Sequence, residues 1–290
     1  MASVPARRDL TYPIRKNVGR LGSLLATLCV VAAIIPLAYM LYYVLRQGGS
    51  SLSVSFFTKL PAPAGETGGG FSNAIAGTLL LIPLSSMVGL PIGILSGIYM
   101  ARSRNVGFAR AARFVTDVIA GLPSIVAGVV AYALIVIPFG FSAIAGSVAL
   151  GLLMFPTVTR ATEEAIKLVP APIREAALAL GVPEWKAMFR IILPTAVNGI
   201  VTAIMLGIAR VAGETAPLYL TILGSPNLPG SPLKPIHALP LQIWNFATGP
   251  YDEWHRQAWA GAFVLFAIIV LLNLLARILT YRLGKRVSSS

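Results

Sequence analysis

Arg210 and Glu214 stand four residues apart in the run Arg210-Val-Ala-Gly213-Glu214-Thr215-Ala-Pro217, and the stretches on either side, 200–208 and 218–223, carry no charge at all. A charged side chain at the centre of a bilayer costs about 2.5–3.5 kcal/mol on the insertion scale, so a chain that keeps two there is expected to use them. The pair is expected in the middle of one apolar helix, whose repeat puts positions i and i+4 on one face, so the two can share one cavity. Opposite charges about 4 Å apart attract by roughly 4 kcal/mol at an effective dielectric of 20, enough to keep both ionised. Guanidinium presents a planar fork of donors that matches an oxyanion, so the chemistry indicated is the holding of a charged oxyanion in place of its hydration shell. Arg160, in Phe155-Pro156-Thr157-Val-Thr159-Arg160, is a second candidate donor, and Thr157, Thr159 and Thr215 could add hydroxyls.

The elements that must position these groups follow from composition. The chain has 290 residues, 56% hydrophobic and 11% charged, against roughly 25% charged in a soluble domain. The apolar runs are continuous rather than alternating, which indicates a polytopic all-α membrane protein and argues against a β-barrel. Six stretches, 21–45, 73–100, 113–137, 141–168, 195–223 and 258–281, are long enough to cross a bilayer. The first is too long for a cleaved signal and no small-x-small cleavage site follows it. The single cysteine, Cys29, excludes an internal disulfide and a cysteine-built metal site, and reads as a small apolar residue in a membrane helix.

The net charge of +13 is explained by topology and contact with anionic lipid, without nucleic acid. Lys and Arg gather in the arm 1–20 (Arg7, Arg8, Arg15, Lys16, Arg20) and between the second and third spans (Arg102, Arg104, Arg110, Arg113). Further groups lie between the fourth and fifth spans (Lys167, Arg174, Lys186, Arg190) and in the tail (Arg277, Arg282, Lys285, Arg286). The other side holds only Arg46, Lys59, Lys234 and Arg256, so the positive-inside rule places both termini in the cytoplasm. One transmembrane domain, 21–282, is thereby expected between a basic arm, 1–20, and a short tail, 283–290. Of the two outward loops, 47–70 reads as irregular, with Pro61, Pro63 and Gly68-Gly69-Gly70. The other, 224–257, is proline-rich, carries Trp244, Tyr251 and Trp254 as an interfacial signature, and contains a candidate short surface helix, Leu239–Ala247. Its two histidines, His237 and His255, are unclustered and read as solvated. In the second span Gly89, Gly93 and Gly97 recur every fourth residue, a spacing that lets another helix approach closely, and Pro83 and Pro91 are expected to kink that span.

The loop between the fourth and fifth spans, 170–194, is the most distinctive segment. Prolines precede an alanine-rich stretch with Glu175 expected in its first turn, Gly181 suits the left-handed position that ends a helix, and Pro183 can open another. A short helix, a tight turn and a second helix would project from the membrane and suit a groove on a partner. Glu175-Ala176-Ala177, three residues, Gly181, nine residues, Ile191, one residue, Leu193-Pro194 resembles the EAA motif of ABC-importer permease subunits. The resemblance implies a type I importer permease fold of six spans. It also implies that Glu175, Ala176, Ala177, Gly181 and Pro194 belong to the coupling loop that docks on a separate ATPase. The chain has no GxxxxGK[ST] loop, since Gly284-Lys285 lacks the upstream glycine and the following Ser or Thr; no cofactor is expected in it, and ATP would be bound by the partner.

Within these permeases, Arg210-Val-Ala-Gly213-Glu214-Thr215-Ala216-Pro217-Leu218 resembles the signature of the phosphate-specific subgroup, and its Ala-Pro-Leu ending is similar to the PstA type. Phe56-Phe57-Thr58, the proline stretch, Gly68-Gly69-Gly70 and Asn73-Ala-Ile-Ala-Gly77-Thr78 agree. The resemblance implies a non-catalytic subunit in the bacterial inner membrane forming half of a phosphate pathway. Its implied partners are a PstC-type second permease, a PstB-type ATPase dimer and a PstS-type binding protein outside. Protonated phosphate can donate an O–H to Glu214, whereas sulfate has no proton to give and would be repelled. Several other readings of the charges remain. Arg210 and Glu214 could be a structural ion pair. Arg160 could belong to a charged stripe with Glu163, Glu164 and Lys167, and Asp117 could pair locally with Arg113. The oxyanion could be sulfate or molybdate. An intramembrane enzyme would need a second group beside Glu214, and none accompanies it in the sequence; a non-transporting sensor would not need the charged pathway.

Overall fold

In a computed structural model the described residues are 11–103 and 105–288, with side chains described for 16–103 and 105–278. Their regular structure is all helical, joined by loops, and among the described residues pairing of extended backbone is limited to two isolated bridges, Pro61 with Gly69 and Leu223 with Ile236. In chain order the helices are α1 (Thr11–Tyr43), α2 (Val54–Thr58), α3 (Ser72–Arg102), α4 (Val106–Ala120), α5 (Ser124–Ala131), α6 (Ile137–Phe139), α7 (Ala143–Lys167), α8 (Ala171–Ala179), α9 (Glu184–Ala187), α10 (Leu193–Ala212), α11 (Ala216–Tyr219), α12 (Leu239–Ala247) and α13 (Asp252–Ser288). Wide π turns extend α1 through Val44–Gly48, join α5 to α6 through Tyr132–Val136 and join α9 to α10 through Met188–Ile192. The last two come just before Pro138 and Pro194, whose rings collide with the carbonyl four residues earlier and lack the N–H that would bond it.

Helix α7 is the centre. Its buried face includes Ala145, Ala149, Leu153, Met154 and Val158, and it packs against α3, α5 and α10. The glycine stripe of α3 makes the closest contact: a Cβ on Gly89 would lie 2.9 Å from the Gly151 carbonyl, one on Gly93 2.9 Å from the Val158 Cβ, and one on Gly97 2.7 Å from the Thr159 carbonyl. The spacing read from the sequence is therefore a helix-packing face, with α7 as the helix it admits. Helix α1 is exposed over 16–43, and its end is joined to the rest where Gly48 packs on Trp259 and Phe263 of α13 and Tyr43 meets Trp259 edge-on.

Two expected spans are corrected. Residues 113–137 are not one helix: α4 and the α5–α6 segment are bent by 99°. Gly121 closes α4 by donating its N–H to Asp117 O at 3.0 Å, and Pro123 then takes an extended ψ of 137°, so the helix cannot run through. Residues 195–223 also break, because α10 stops at Ala212. Pro217 has no N–H for the Gly213 carbonyl and its ring would strike it, so a helix through 213 is blocked. Among the described residues five helical segments are each long and apolar enough to cross a membrane, and the bent pair makes six if counted as one span.

The outer loops form an ordered cap. Ser53 caps α2 by accepting from Phe56 N, so 47–70 is less irregular than its composition indicated. Phe56, Phe71, Phe246 and Trp254 meet in series with ring centroids 4.7–5.1 Å apart, the outer two pairs stacked and Phe71 edge-on to Phe246. Helix α12 has the bounds expected from sequence and exposes one face, through Trp244, Asn245 and Ala247, while Leu239, Pro240, Leu241, Gln242 and Phe246 on the other are buried against α3 and α13. The N–H groups that open α7 and have no partner within the helix are bonded by this cap, Ala143 N donating to Lys234 O at 3.2 Å and Ile144 N to Pro232 O at 3.1 Å.

Candidate translocation and coupling site

Arg210 lies in the last turn of α10, Gly213 is the residue after the helix, and Glu214 N donates to Val211 O at 3.2 Å as the chain turns away. Thr215 precedes α11, and α11 is held by α5: a Cβ on Gly128 would lie 2.7 Å from Pro217 Cα. The helix end therefore falls between the two charged residues, and the shared-face argument, which needs an unbroken helix, does not apply. Arg210 is exposed on this subunit and Glu214 partly so, and among the described residues no ion pair joins them. Arg210 is at the end of a helix facing the break, with its guanidinium not committed to Glu214; Thr215 is partly exposed beside it.

Arg160 is differently placed. Its Nε donates to Asp117 Oδ1 at 3.0 Å, a second nitrogen reaches the same oxygen, and Nη1 donates to Glu163 Oε2 at 3.3 Å. Glu163, wholly buried, also accepts from Arg113 Nε at 2.6 Å and Lys167 Nζ at 3.0 Å, while Lys167 reaches Glu164 at 2.9 Å. Arg113 donates in addition to the Met100 carbonyl at the end of α3. Three basic and three acidic side chains thus bind α4 to α7, with α3 attached through a backbone oxygen. The expected local pair of Arg113 with Asp117 is corrected: Asp117 reaches across to Arg160, because Arg113 turns the other way to Glu163. The stripe of Arg160, Glu163, Glu164 and Lys167 is present, and the sequence missed only its cross-helix partners. Of the threonines, Thr159 is buried on Gly97 and its hydroxyl donates to Phe155 O at 2.7 Å, so it is occupied within its own helix; Thr157 is partly exposed.

The coupling segment forms as its residues require. After α8, Gly181 takes φ +76°, its N–H donates to Leu178 O at 3.0 Å, and Val182 N donates to Ala177 O at 3.1 Å. These two bonds make a Schellman end, with glycine at the one position that needs a left-handed backbone. Glu175 is the fifth residue of α8, in its second turn rather than its first, because the helix starts at Ala171. Glu175 and Ala176 are exposed, Ala177 is buried under the turn, and Arg174 of α8 is salt-bridged to Glu184 of α9. The second helix of the protrusion is the beginning of the fifth span, continuous in direction through the π turn to Pro194 and α10.

The histidines of the outer loop separate. His255 is exposed and bonds Gly249 O at 2.8 Å, whereas His237 is largely buried, its carbonyl pressed on Gly77 and its Nδ1 accepting from Ala238 N at 3.0 Å. The solvated reading is corrected for His237. Burial pushes its pKa down to about 4, with the Ala238 backbone contact opposing.

The profile of the binding-protein-dependent transport system inner membrane component family matches residues 89–289. A phosphate transport system permease protein PstA from Yersinia pestis is 40% identical over 91% of this chain and 90% of its own length. One of the same name from Haemophilus influenzae is 36% identical over 93% and 96%. Among solved structures, a bacterial alginate ABC transporter covers 95% of this chain and 98% of its own with a TM-score of 0.62 at 17% identity. The inward-facing MetNI methionine ABC transporter covers 74% and 94% with a TM-score of 0.56 at 18% identity. These two likenesses establish the fold, that of an ABC importer permease. The chain is accordingly a multi-pass membrane protein that belongs to the binding-protein-dependent permease family and to the PstA branch its relatives define.

Proposed function

We propose that this chain is the PstA-type transmembrane subunit of an ATP-driven inorganic phosphate importer. What carries the reading is similarity over nearly the whole length to permeases named for phosphate transport. Arg210 supplies chemistry that fits: an exposed guanidinium at a helix break, free of Glu214, can replace part of the hydration of a phosphate anion. Glu214 and Thr215 lie on the turn that follows and offer a carboxylate acceptor and a hydroxyl to a protonated phosphate. Arg160 keeps 36% of its side chain exposed and adds N–H donors, but Asp117 and Glu163 offset its charge, so its pull on an anion is weaker than that of Arg210.

In this reading the subunit forms half of the pathway beside a PstC-type permease in the bacterial inner membrane, with both termini cytoplasmic. Glu175, Ala176, Ala177 and Gly181, with Pro194 at the start of the span behind them, transmit movement from a PstB-type ATPase dimer, which binds the ATP; this chain itself catalyses no reaction. A PstS-type protein delivers phosphate to the cap made by the outer loops. Sulfate or molybdate is the second reading, and the names of the relatives do not favour it. The test is uptake of labelled phosphate in a bacterial host lacking its own PstA subunit, with the other components supplied, in the presence of excess sulfate. Uptake indifferent to sulfate supports phosphate; uptake abolished by sulfate would reassign the substrate.

A further inference from the structure

A cavity of about 600 Å³ lies between the end of α3 and the coupling segment, away from Arg210 and outside the ion cluster on Glu163. Its apolar wall is made by Ile98, Tyr99, Trp185, Met188 and Ile192, and its charged rim by Arg102, Arg174 and Glu184. Arg174 and Glu184 are paired with each other. Arg102 is not compensated in that way. Among the described residues it meets no carboxylate, its one bond is a long 3.4 Å contact to the Ile166 carbonyl, and its Nε is buried without a partner. The Arg102 side chain is only half-buried and lines the cavity, so an anionic oxygen there can offset a guanidinium charge that no ion pair compensates.

The shape of the surroundings selects among anions. Arg102 is the last residue of a membrane-length helix, which places it at headgroup depth. Tyr99 belongs both to the cavity and to an exposed apolar ridge of α3, with Ile92 54%, Leu95 64% and Tyr99 43% exposed. An amphiphile could set its phosphate on Arg102, its upper chain against Tyr99 and Trp185, and its tail along Leu95 and Ile92. A free inorganic anion would leave the apolar wall unused. The geometry points to a binding site for an anionic phospholipid, seated between the second span and the coupling segment. Because Arg102 lies on α3 and Trp185 on α9, the bound lipid bridges the membrane domain to the segment that meets the ATPase. The site stands whatever ion the permease carries.

The test uses the whole transporter, with its ATPase and second permease, in phosphatidylcholine nanodiscs. These are doped with either a photoactivatable phosphatidylglycerol or the matching phosphatidylcholine probe, and labelled peptides are mapped by mass spectrometry. The phosphatidylglycerol probe should label the peptides containing Tyr99 and Trp185 roughly tenfold more than the phosphatidylcholine probe. Arg102→Gln should remove that preference, Arg102→Lys should keep part of it, and millimolar inorganic phosphate should not compete. The comparison of the two probes on the unaltered chain stands even if Arg102→Gln fails to assemble. Equal labelling by both probes, or labelling elsewhere, overturns the proposal. Displacement by inorganic phosphate would make this a free-ion site, and labelling only when the ATPase is removed would make it a protein contact; both contradict a lipid site.

Discussion

Replacing Glu163 by Gln should loosen the junction of α4 with α7. Its carboxylate is completely buried and holds Arg113 at 2.6 Å, Lys167 at 3.0 Å and Arg160 at 3.3 Å. At an effective dielectric of 20, each contact near 3 Å is an attraction of about 5 kcal/mol, before the several kcal/mol spent on taking a carboxylate out of water. Removing the carboxylate charge leaves three cations facing a neutral amide. Breaking a buried network in this way costs about 3–5 kcal/mol. The three cations keep 32–43% of their side chains exposed, so water screens them and the lower end, about 3 kcal/mol, is expected. The assay is reversible unfolding of the assembled transporter in mixed micelles, with Glu163→Gln, Arg113→Met and the double variant forming a cycle. A coupling above about 1 kcal/mol between the two sites is expected. A loss under about 1 kcal/mol for Glu163→Gln, or additivity with Arg113→Met, would refute the claim that this carboxylate organises the junction.

Three further outcomes follow from the geometry. Gly77→Ala places a Cβ 1.8 Å from the His237 carbonyl oxygen, a clash with backbone, so the outer cap must shift; destabilisation of about 3 kcal/mol, measured by the same unfolding, is expected. His237 binds its proton less readily folded than unfolded, so its contribution to stability is full above about pH 6.5, declines as pH falls toward 4, and changes no further below that. The decline is on the order of 3 kcal/mol and should vanish from the pH dependence of unfolding in His237→Gln. Glu214→Gln should let sulfate compete with phosphate uptake, because the carboxylate that repels a fully ionised anion is gone; selectivity left unchanged would remove Glu214 from discrimination.

Local signals in the sequence were reliable where one residue had one job. Gly89, Gly93 and Gly97 announced a close helix contact, Gly181 announced the end of α8, and Leu239–Ala247 appeared with its expected bounds. Breaks inside apolar runs were harder to see. Gly121-Leu-Pro123 and Gly213…Pro217 carry helix-stopping residues, yet membrane helices tolerate proline, as Pro83, Pro91 and Pro156 do here within α3 and α7. Hydropathy alone does not tell the two cases apart. Pairings between distant helices were not legible at all. Asp117 had Arg113 four residues away and chose Arg160, 43 residues on, because only packing of α4 on α7 brings them together. His237 gave no sign of its burial, which follows from the loop seating its backbone on Gly77 of α3.

The central claim is that phosphate crosses beside Arg210. Uptake of labelled phosphate by the complete transporter should be compared between this chain, Arg210→Lys and Arg210→Ala, at matched membrane levels and with intact assembly with the ATPase. Removing a charge-assisted contact to a doubly charged ion predicts a loss of at least roughly tenfold for Arg210→Ala, with partial recovery in Arg210→Lys, which keeps the charge and loses the fork. Uptake undiminished in Arg210→Ala would contradict the account and leave Arg210 as an exposed helix-end charge without a part in transport.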